Sequence, residues 1–284
     1  MATVNPTLRR RQLAAQLREM RRESGLKIEE VAERLLCSTA KISRMETAQR
    51  RVSLRDVRDL CELYGADEAK TNMLMTLARE ARQPGLRDEV DIGNPKLQTY
   101  PRLEAAASAV SEFQNGFIPG LLQTEDYMRA LIRGMLPGIS QDVLNARVEV
   151  RLERQQRLLR GELPRYWAIF DEAALHRRVG GPKVMFRQLE QLGELSELSH
   201  VVIQVIPFDV GAYMALDNSF HLVEMKDTMT SDVVYLEGIV TADYLERPAD
   251  LQIYREALER LRAAALNPQS SLALIEKIKN TYVI

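Results

Sequence analysis

Residues Gly25 to Arg51 read GLKIEEVAERLLCSTAKISRMETAQRR. Two short apolar patterns of helical period lie on either side of a break. Ile28, Val31, Ala32 and Leu35 share one face of a helix over 28–36. Ile42 and Met45, three residues apart, face inward from a second helix over Thr39 to Thr47. Between them is a turn of about three residues that ends in Ser38, whose hydroxyl can accept a free backbone N–H as a cap. Two helices joined so closely make a helix-turn-helix, the second helix of which enters the major groove of DNA.

The flanks extend the pattern. Leu8 to Glu23 puts Leu13, Leu17 and Met20 on one helical face and Arg9, Arg10, Arg11, Arg18, Arg21 and Arg22 on the other, with Gly25 as the stop. Ser53 caps a fourth helix that carries Asp56 at its third position and Leu54, Val57, Leu60, Cys61 and Tyr64 for packing. Asp67 caps a fifth, which runs through Met73, Leu74 and Leu77 and ends before Pro84. The expectation is a compact all-α five-helix domain over 1–82.

This stretch resembles the DNA-binding domain of Xre/Cro-type repressors. The matches are Gly25-Leu26, Val31-Ala32, Ser38, Ile42-Ser43 and Glu46. Where that family commonly has a Gln that holds a phosphate, this chain has Lys27-Ile28, and Lys27 becomes the candidate phosphate contact. Ala48 stands where the family often has glycine, so the turn after the recognition helix is expected to be tighter or shifted. In such domains the N-terminal end of the recognition helix reaches base edges. Thr39, Ala40, Lys41 and Arg44 are therefore the candidate base contacts: Lys41 or Arg44 to guanine O6 and N7, Thr39 or Ala40 to a thymine methyl. Ser38, Ser43, Arg50 and Arg51 join Lys27 as phosphate contacts, which position the domain rather than specify sequence.

The composition tells against this until it is divided. The 284 residues carry 39 Lys and Arg against 40 Asp and Glu, a net charge of −1, whereas DNA-binding domains are usually basic. Residues 1–82 hold 17 basic and 12 acidic residues, and the remainder 22 and 28. A net of +5 is thus joined to a net of −6. The break falls at Gln83 to Pro101, where Pro84, Gly85, Gly93, Pro95 and Pro101 predict a linker. Apolar residues at 45% and charged residues at 28% exclude a disordered chain, a collagen repeat and a disulfide scaffold. Cys37 and Cys61 read as reduced small hydrophobes of a cytoplasmic protein. No secretory signal is expected, since residues 1–6 show no apolar stretch, and the aliphatic run Val201 to Phe208 is too short to span a bilayer.

Residues 102–284 read as an α+β domain, a small sheet of four or five strands packed by helices. Strands are expected at Ala109–Ile118, Tyr166–Phe170, Val201–Phe208, Phe220–Met225 and Val233–Glu237. Helices are expected from the Thr124 cap to Arg133, from the Ser140 cap to Arg160 with a Glu153–Arg157 pair, and over Lys183–Leu198 behind Pro182. Leu251–Leu266 and Ser271–Ile278 close the chain as helices. His176, His200 and His221 are too scattered for a metal site, Asp171 reads as a cap, and Gly180-Gly181-Pro182 lacks phosphate-loop spacing. The lone Trp167 reads as core. No catalytic, metal or cofactor site is predicted, and the expectation is a non-enzyme. Phe208 and Tyr213, in the turn after the Val201 strand, are expected to line a ligand or partner pocket with Tyr235 and Glu237.

The segments IPGLLQTEDYMRALI, YWAIFDEAAL, VGGPKVMFRQLEQL, VVIQVIPFDVGAY and VVYLEG are similar to the C-terminal domain of a large group of actinobacterial regulators. These carry an N-terminal Xre-type domain and include the WhiJ-like regulators of streptomycete development. The resemblance implies a small partner protein encoded by an adjacent gene, in an antitoxin-like pairing. The expected function is a cytoplasmic regulator that binds double-stranded DNA as a homodimer on a palindrome, its C-terminal domain dimerising and receiving a ligand or partner. The alternative is an antitoxin-like protein that binds DNA for autoregulation.

Overall fold

A computed structural model describes residues 6–82, 99–226, 231–238 and 242–282. The chain forms two compact units. The N-terminal unit is helical: α1 (Pro6–Glu23), α2 (Ile28–Arg34), α3 (Thr39–Glu46), α4 (Leu54–Tyr64) and α5 (Glu68–Glu80). The starts of α3, α4 and α5 are written in short polar side chains. Ser38 accepts from the Lys41 N–H, Ser53 from Asp56 and Asp67 from Lys70, which satisfies backbone donors that have no partner inside the helix. Gly25 takes a φ of 70°, and the turn it makes ends α1. Leu13, Leu17, Val31, Ile42, Met45, Val57, Leu60 and Leu74 meet in one core. At about 1.5–3 kcal/mol for each fully buried aliphatic side chain, that burial outweighs the weak helix propensity of such short segments.

The expected outward basic face of α1 is only partly free. Arg9 pairs with Glu80 at 2.8 Å, Arg11 is buried, and Arg21 turns inward to Glu46. Arginine's apolar stem lets it cross the helix edge and reach a carboxylate that periodicity cannot foresee.

The second unit is an α+β domain built on a six-stranded mixed sheet of order β3-β2-β1-β4-β5-β6. The strands are β1 (Ala107–Gln114), β2 (Tyr166–Asp171), β3 (Val201–Ile206), β4 (Phe220–Met225), β5 (Val233–Glu237) and β6 (Ala242–Leu245). β1, β2 and β3 run parallel, and β4, β5 and β6 continue antiparallel. The helices are α6 (Thr99–Ala106), α7 (Glu125–Met135), α8 (Gln141–Leu159), α9 (Ala173–His176), α10 (Pro182–Ser196), α11 (Pro248–Ala264) and α12 (Pro268–Lys279). Parallel neighbours need long crossovers, which α7 with α8, and then α9 with α10, supply.

Strand alternation sorts the two faces. Val110, Tyr166, Ala168, Phe170, Ile203, Val205, Val223 and Tyr235 pack with Met185, Leu189 and Leu192 of α10 and Ile275 and Ile278 of α12. Phe113, Ile169, Ile206, Phe220, Leu222 and Val234 pack with Leu251, Leu258 and Leu261 of α11.

Several boundaries differ from expectation. Residues 83–98 of the predicted linker lie outside the described residues, whereas Thr99–Pro101 already belong to α6. Pro101 sits in the first turn, where no helical hydrogen bond needs its missing N–H. β1 starts two residues early and stops at Gln114, and Ile118 is buried beyond the strand. β3 stops at Ile206, before Pro207, and Phe208–Val210 forms a 3-10 turn. β6 went unforeseen because four residues with an exposed Asp243 carry almost no strand signal. Arg157 turns to Glu162 at 3.1 Å rather than along α8 to Glu153.

Candidate nucleic-acid interface

The candidate recognition helix is α3. Its inward side is made by Ile42, Met45 and Glu46, all buried. Glu46 is held by the Arg21 guanidinium, whose Nε and Nη2 donate to the two carboxylate oxygens at 2.7 and 2.9 Å. Arg21 Nη1 also donates to the Leu26 carbonyl at 2.9 Å, so one arginine ties α1, the α1–α2 turn and α3 together. The hydrogen bond to Glu46 outweighs burial and raises the Arg21 pKa. Tyr64 lies in the same neighbourhood, and burial pushes its phenol up, with the Glu46 charge adding.

The outward side carries the expected contacts. Thr39 and Ala40 are exposed in the first turn. Arg44 is exposed, and its Nε donates to the Ala40 carbonyl at 3.1 Å, which steers the guanidinium along the helix while leaving both Nη groups for a ligand. Lys41 is different. It is half-buried and its ammonium is 2.6 Å from Asp56 Oδ1. Asp56 also accepts from the Ser53 N–H and hydroxyl through Oδ2, at 3.2 and 2.7 Å. Burial opposes ionisation of Asp56, yet the hydrogen bonds from Lys41 and Ser53 hold its carboxyl below the usual range. Lys41 therefore reaches DNA only by giving up a charge-assisted bond, whereas Arg44 gives up nothing.

The candidate phosphate contacts surround this helix. Ser38 caps α3 and is itself exposed, Ser43 is half-buried, and Arg50 and Arg51 are exposed just after it. The Arg50 N–H donates to the Arg44 carbonyl at 3.0 Å, so the path out of α3 is fixed. Ala48 makes that turn in the left-handed region at φ 56°. Alanine thus takes a left-handed conformation that glycine adopts without a side-chain clash, and bears the strain. Lys27 is exposed at the head of α2, its N–H donating to Glu30 at 2.7 Å. In the turn between α2 and α3, Leu36 also adopts a positive φ, 49°, and is 95% exposed.

Of the residues expected to line a ligand or partner pocket, Tyr235 and Glu237 come together, whereas Phe208 and Tyr213 lie elsewhere. Phe208 is exposed and stacks on His176 at 5.5 Å. Tyr213 donates to Asp171 Oδ2 at 2.6 Å and packs edge-on to Phe113, on the α11 face of the sheet. Tyr235 belongs to the opposite face, where its hydroxyl donates to Glu237 at 2.8 Å. A side-chain period of two puts Tyr235 across the sheet from Val234 and Leu236, a separation invisible until the register is known.

Sequence reasoning missed a polar layer under Tyr235. Arg154 of α8 is bidentate to Glu104 of α6 at 2.9 and 2.8 Å and lies over the Tyr100 ring. The Tyr100 hydroxyl is 2.9 Å from His221 Nδ1 and Tyr166 donates to Glu112 at 2.6 Å. Burial drives the Tyr100 and Tyr166 phenols far above their ordinary range, with Glu104 and Glu112 respectively adding to it. The one available signal was the spacing of Arg147, Arg151 and Arg154 on one helical face. Elsewhere Asp171, the last residue of β2, accepts through Oδ1 from the Ala173 N–H at 2.7 Å, although the N-cap position of α9 falls on Glu172 rather than on Asp171. Trp167 is half-buried, with Nε1 donating to Gln204 at 2.7 Å and Arg262 over its ring. Among the described residues, no group of three or more His, Cys, Asp or Glu is placed to hold a metal, and no helix is long and apolar enough to cross a membrane.

Residues 12–74 match the family described as a helix-turn-helix domain. That match covers α2 and α3 and points to a DNA-binding regulator of transcription. No curated protein and no solved structure matches the chain. Residues 97–277 match the family described as a domain of unknown function, DUF5753, which takes in the whole six-stranded sheet. With that match covering most of its length, the chain belongs to the DUF5753 family and carries a helix-turn-helix domain ahead of the family's namesake.

Proposed function

We propose that this protein is a sequence-specific, Xre-type transcriptional regulator of the cytoplasm that binds a palindromic DNA operator as a homodimer. The observation that carries the reading is the outward face of α3, where exposed Thr39 and Ala40 stand in the first turn and exposed Arg44 in the last turn, on the Ala40 side of a helix locked to its domain by Arg21 and Glu46. Thr39, Ala40 and Arg44 read bases, with Lys41 joining them only if it leaves Asp56. Lys27, Ser38, Ser43, Arg50 and Arg51 hold phosphates. One recognition helix reads a short half-site, and a two-fold dimer places two of them about 34 Å apart. The boundaries that follow are 1–82 for the DNA-binding unit, 83–98 for the linker and, with α6 included, 99–284 for a unit that dimerises and receives a ligand or partner. The resemblance to the WhiJ-like group favours a developmental role; no comparison supports the antitoxin-like alternative.

The test is a gel shift against an operator selected from random duplexes by the wild-type protein. Lys41→Ala with Arg44→Ala should abolish the preference for that operator over random duplex and leave weak, salt-sensitive binding. Retained preference would sink the assignment of α3 as the reading helix.

A further inference from the structure

We propose that the α8–β5 end of the C-terminal unit binds a small anion, a carboxylate or phosphate, through the guanidinium of Arg151. Arg147, Arg151 and Arg154 share one face of α8, turned toward the polar layer beneath Tyr235. The nearby acids are committed elsewhere. Both oxygens of Glu104 belong to Arg154, Glu112 accepts from Tyr166 and from Gln114 at 3.1 Å, and Glu237 accepts from Tyr235. Among the described residues Arg151 is left with one contact, Gln123 Oε1 at 3.5 Å, the outer limit of a hydrogen bond. A guanidinium has five donors in a planar fork that matches a carboxylate or phosphate, so most of this one is unused.

The electrostatics agree. Burial, joined by the positive charges of Arg154 and Arg147 and only partly offset by Glu237 and Glu112, lowers the Arg151 pKa to about 10. Proteins rarely keep a desolvated cation without a partner, because the lost hydration goes uncompensated. Arg151 is half-buried over the residue as a whole, and it is its guanidinium that burial desolvates. Gln123, fully buried and anchored through its side-chain amide to the Ile118 carbonyl, backs the site from the far side. The proposal concerns the C-terminal unit alone and stands or falls separately from DNA binding.

The full-length protein is titrated calorimetrically with inorganic phosphate and, separately, with succinate, alongside Arg151→Met and a surface control, Arg260→Ala, whose arginine pairs with Glu256 on α11. Saturable binding of one of the two by wild type and Arg260→Ala, weakened at least tenfold in Arg151→Met, supports the site and says which anion class it takes. Thermal melts give a second reading that does not need the affinity. Without added anion Arg151→Met should melt no lower than wild type, since it removes an uncompensated charge; with saturating anion the order should reverse. Absence of saturable binding by wild type, equal binding by Arg151→Met, or an anion-free Arg151→Met that melts well below wild type each overturns the proposal. The last result would make Arg151 a structural donor.

Discussion

Ala48 and Leu36 are the residues at which this DNA-binding unit departs furthest from the conformation its side chains prefer. Both take a left-handed backbone, φ 56° and 49°, and neither is glycine. A side chain there crowds the following carbonyl at a cost of about 1 kcal/mol. Ala48→Gly and Leu36→Gly should each stabilise the protein by about 1 kcal/mol, read as a rise in urea midpoint at unchanged m-value. No stabilisation in either would mean that the extra freedom of glycine in the unfolded chain cancels the relief. Asp56 makes a pH-dependent prediction. Its folded pKa lies below the unfolded one, so its contribution is fully present above the unfolded pKa and is lost as pH falls through the folded value. Asp56→Asn should therefore flatten the acid side of the stability curve. The loss at neutral pH should be about 0.5–1 kcal/mol, the figure for a partly exposed pair screened by solvent. If the mutant and wild type lose stability in parallel between pH 5 and pH 3, the Lys41–Asp56 bond contributes nothing in solution.

Among the elements, the segment Ile118–Thr124 shows what one-dimensional reading leaves out. Its 3-10 turn over Gly120–Leu122 leaves backbone groups unpaired, and buried glutamines from two helices satisfy them. Gln155 of α8 donates to the Leu121 and Gln123 carbonyls at 3.0 and 2.8 Å. Gln188 of α10 donates to the Leu122 carbonyl at 2.8 Å and accepts from the Thr124 N–H at 2.7 Å. Gln188→Leu keeps the volume but strands the Thr124 donor, and should cost about 2 kcal/mol, read in urea unfolding. A loss below about 0.5 kcal/mol would show that water replaces the amide. In the sequence these glutamines sit among apolar neighbours and look like surface residues of an amphipathic helix. The helices themselves were legible, because Ser38, Ser53, Thr124 and Ser140 announce their starts and each does cap the helix behind it. β4 and β5 were legible to the residue from their β-branched and aromatic runs. Strand order was not, since it follows from which faces the crossovers cover. For that reason Tyr213 and Tyr235 were grouped although the sheet lies between them. The candidate reading helix was legible down to its cap, whereas the pairing of Lys41 was hidden because its partner belongs to a different helix.

For the whole molecule, the even balance of charge conceals a division with a measurable consequence. The first 82 residues carry a net of +5 and the rest a net of −6. Phosphate attracts the first part and repels the second, so whole-chain charge is a poor guide to partners and its distribution a better one. Binding that neutralises phosphates releases counterions, and log K falls with log salt at a slope of about −0.9 per phosphate contacted by a cation. Of the proposed phosphate contacts, three in each domain are exposed cations, Lys27, Arg50 and Arg51. A single domain on DNA should thus show a slope of about −3, and two domains on a palindrome about −5. Removing Arg50 deletes one contact per domain, so Arg50→Ala should reduce the slope by about 2 if two copies bind and by about 1 if one does. Fluorescence anisotropy of a labelled operator, titrated with the full-length protein between 50 and 300 mM salt, measures both slopes. A wild-type slope near −3 that falls by only 1 in Arg50→Ala would exclude the dimer on DNA. A slope unchanged by Arg50→Ala would remove that residue from the phosphate contacts. The repelled acidic part makes a further demand. Because it is not drawn to the duplex, it should add nothing to the slope, and Arg260→Ala in that part should leave the slope where the wild type has it.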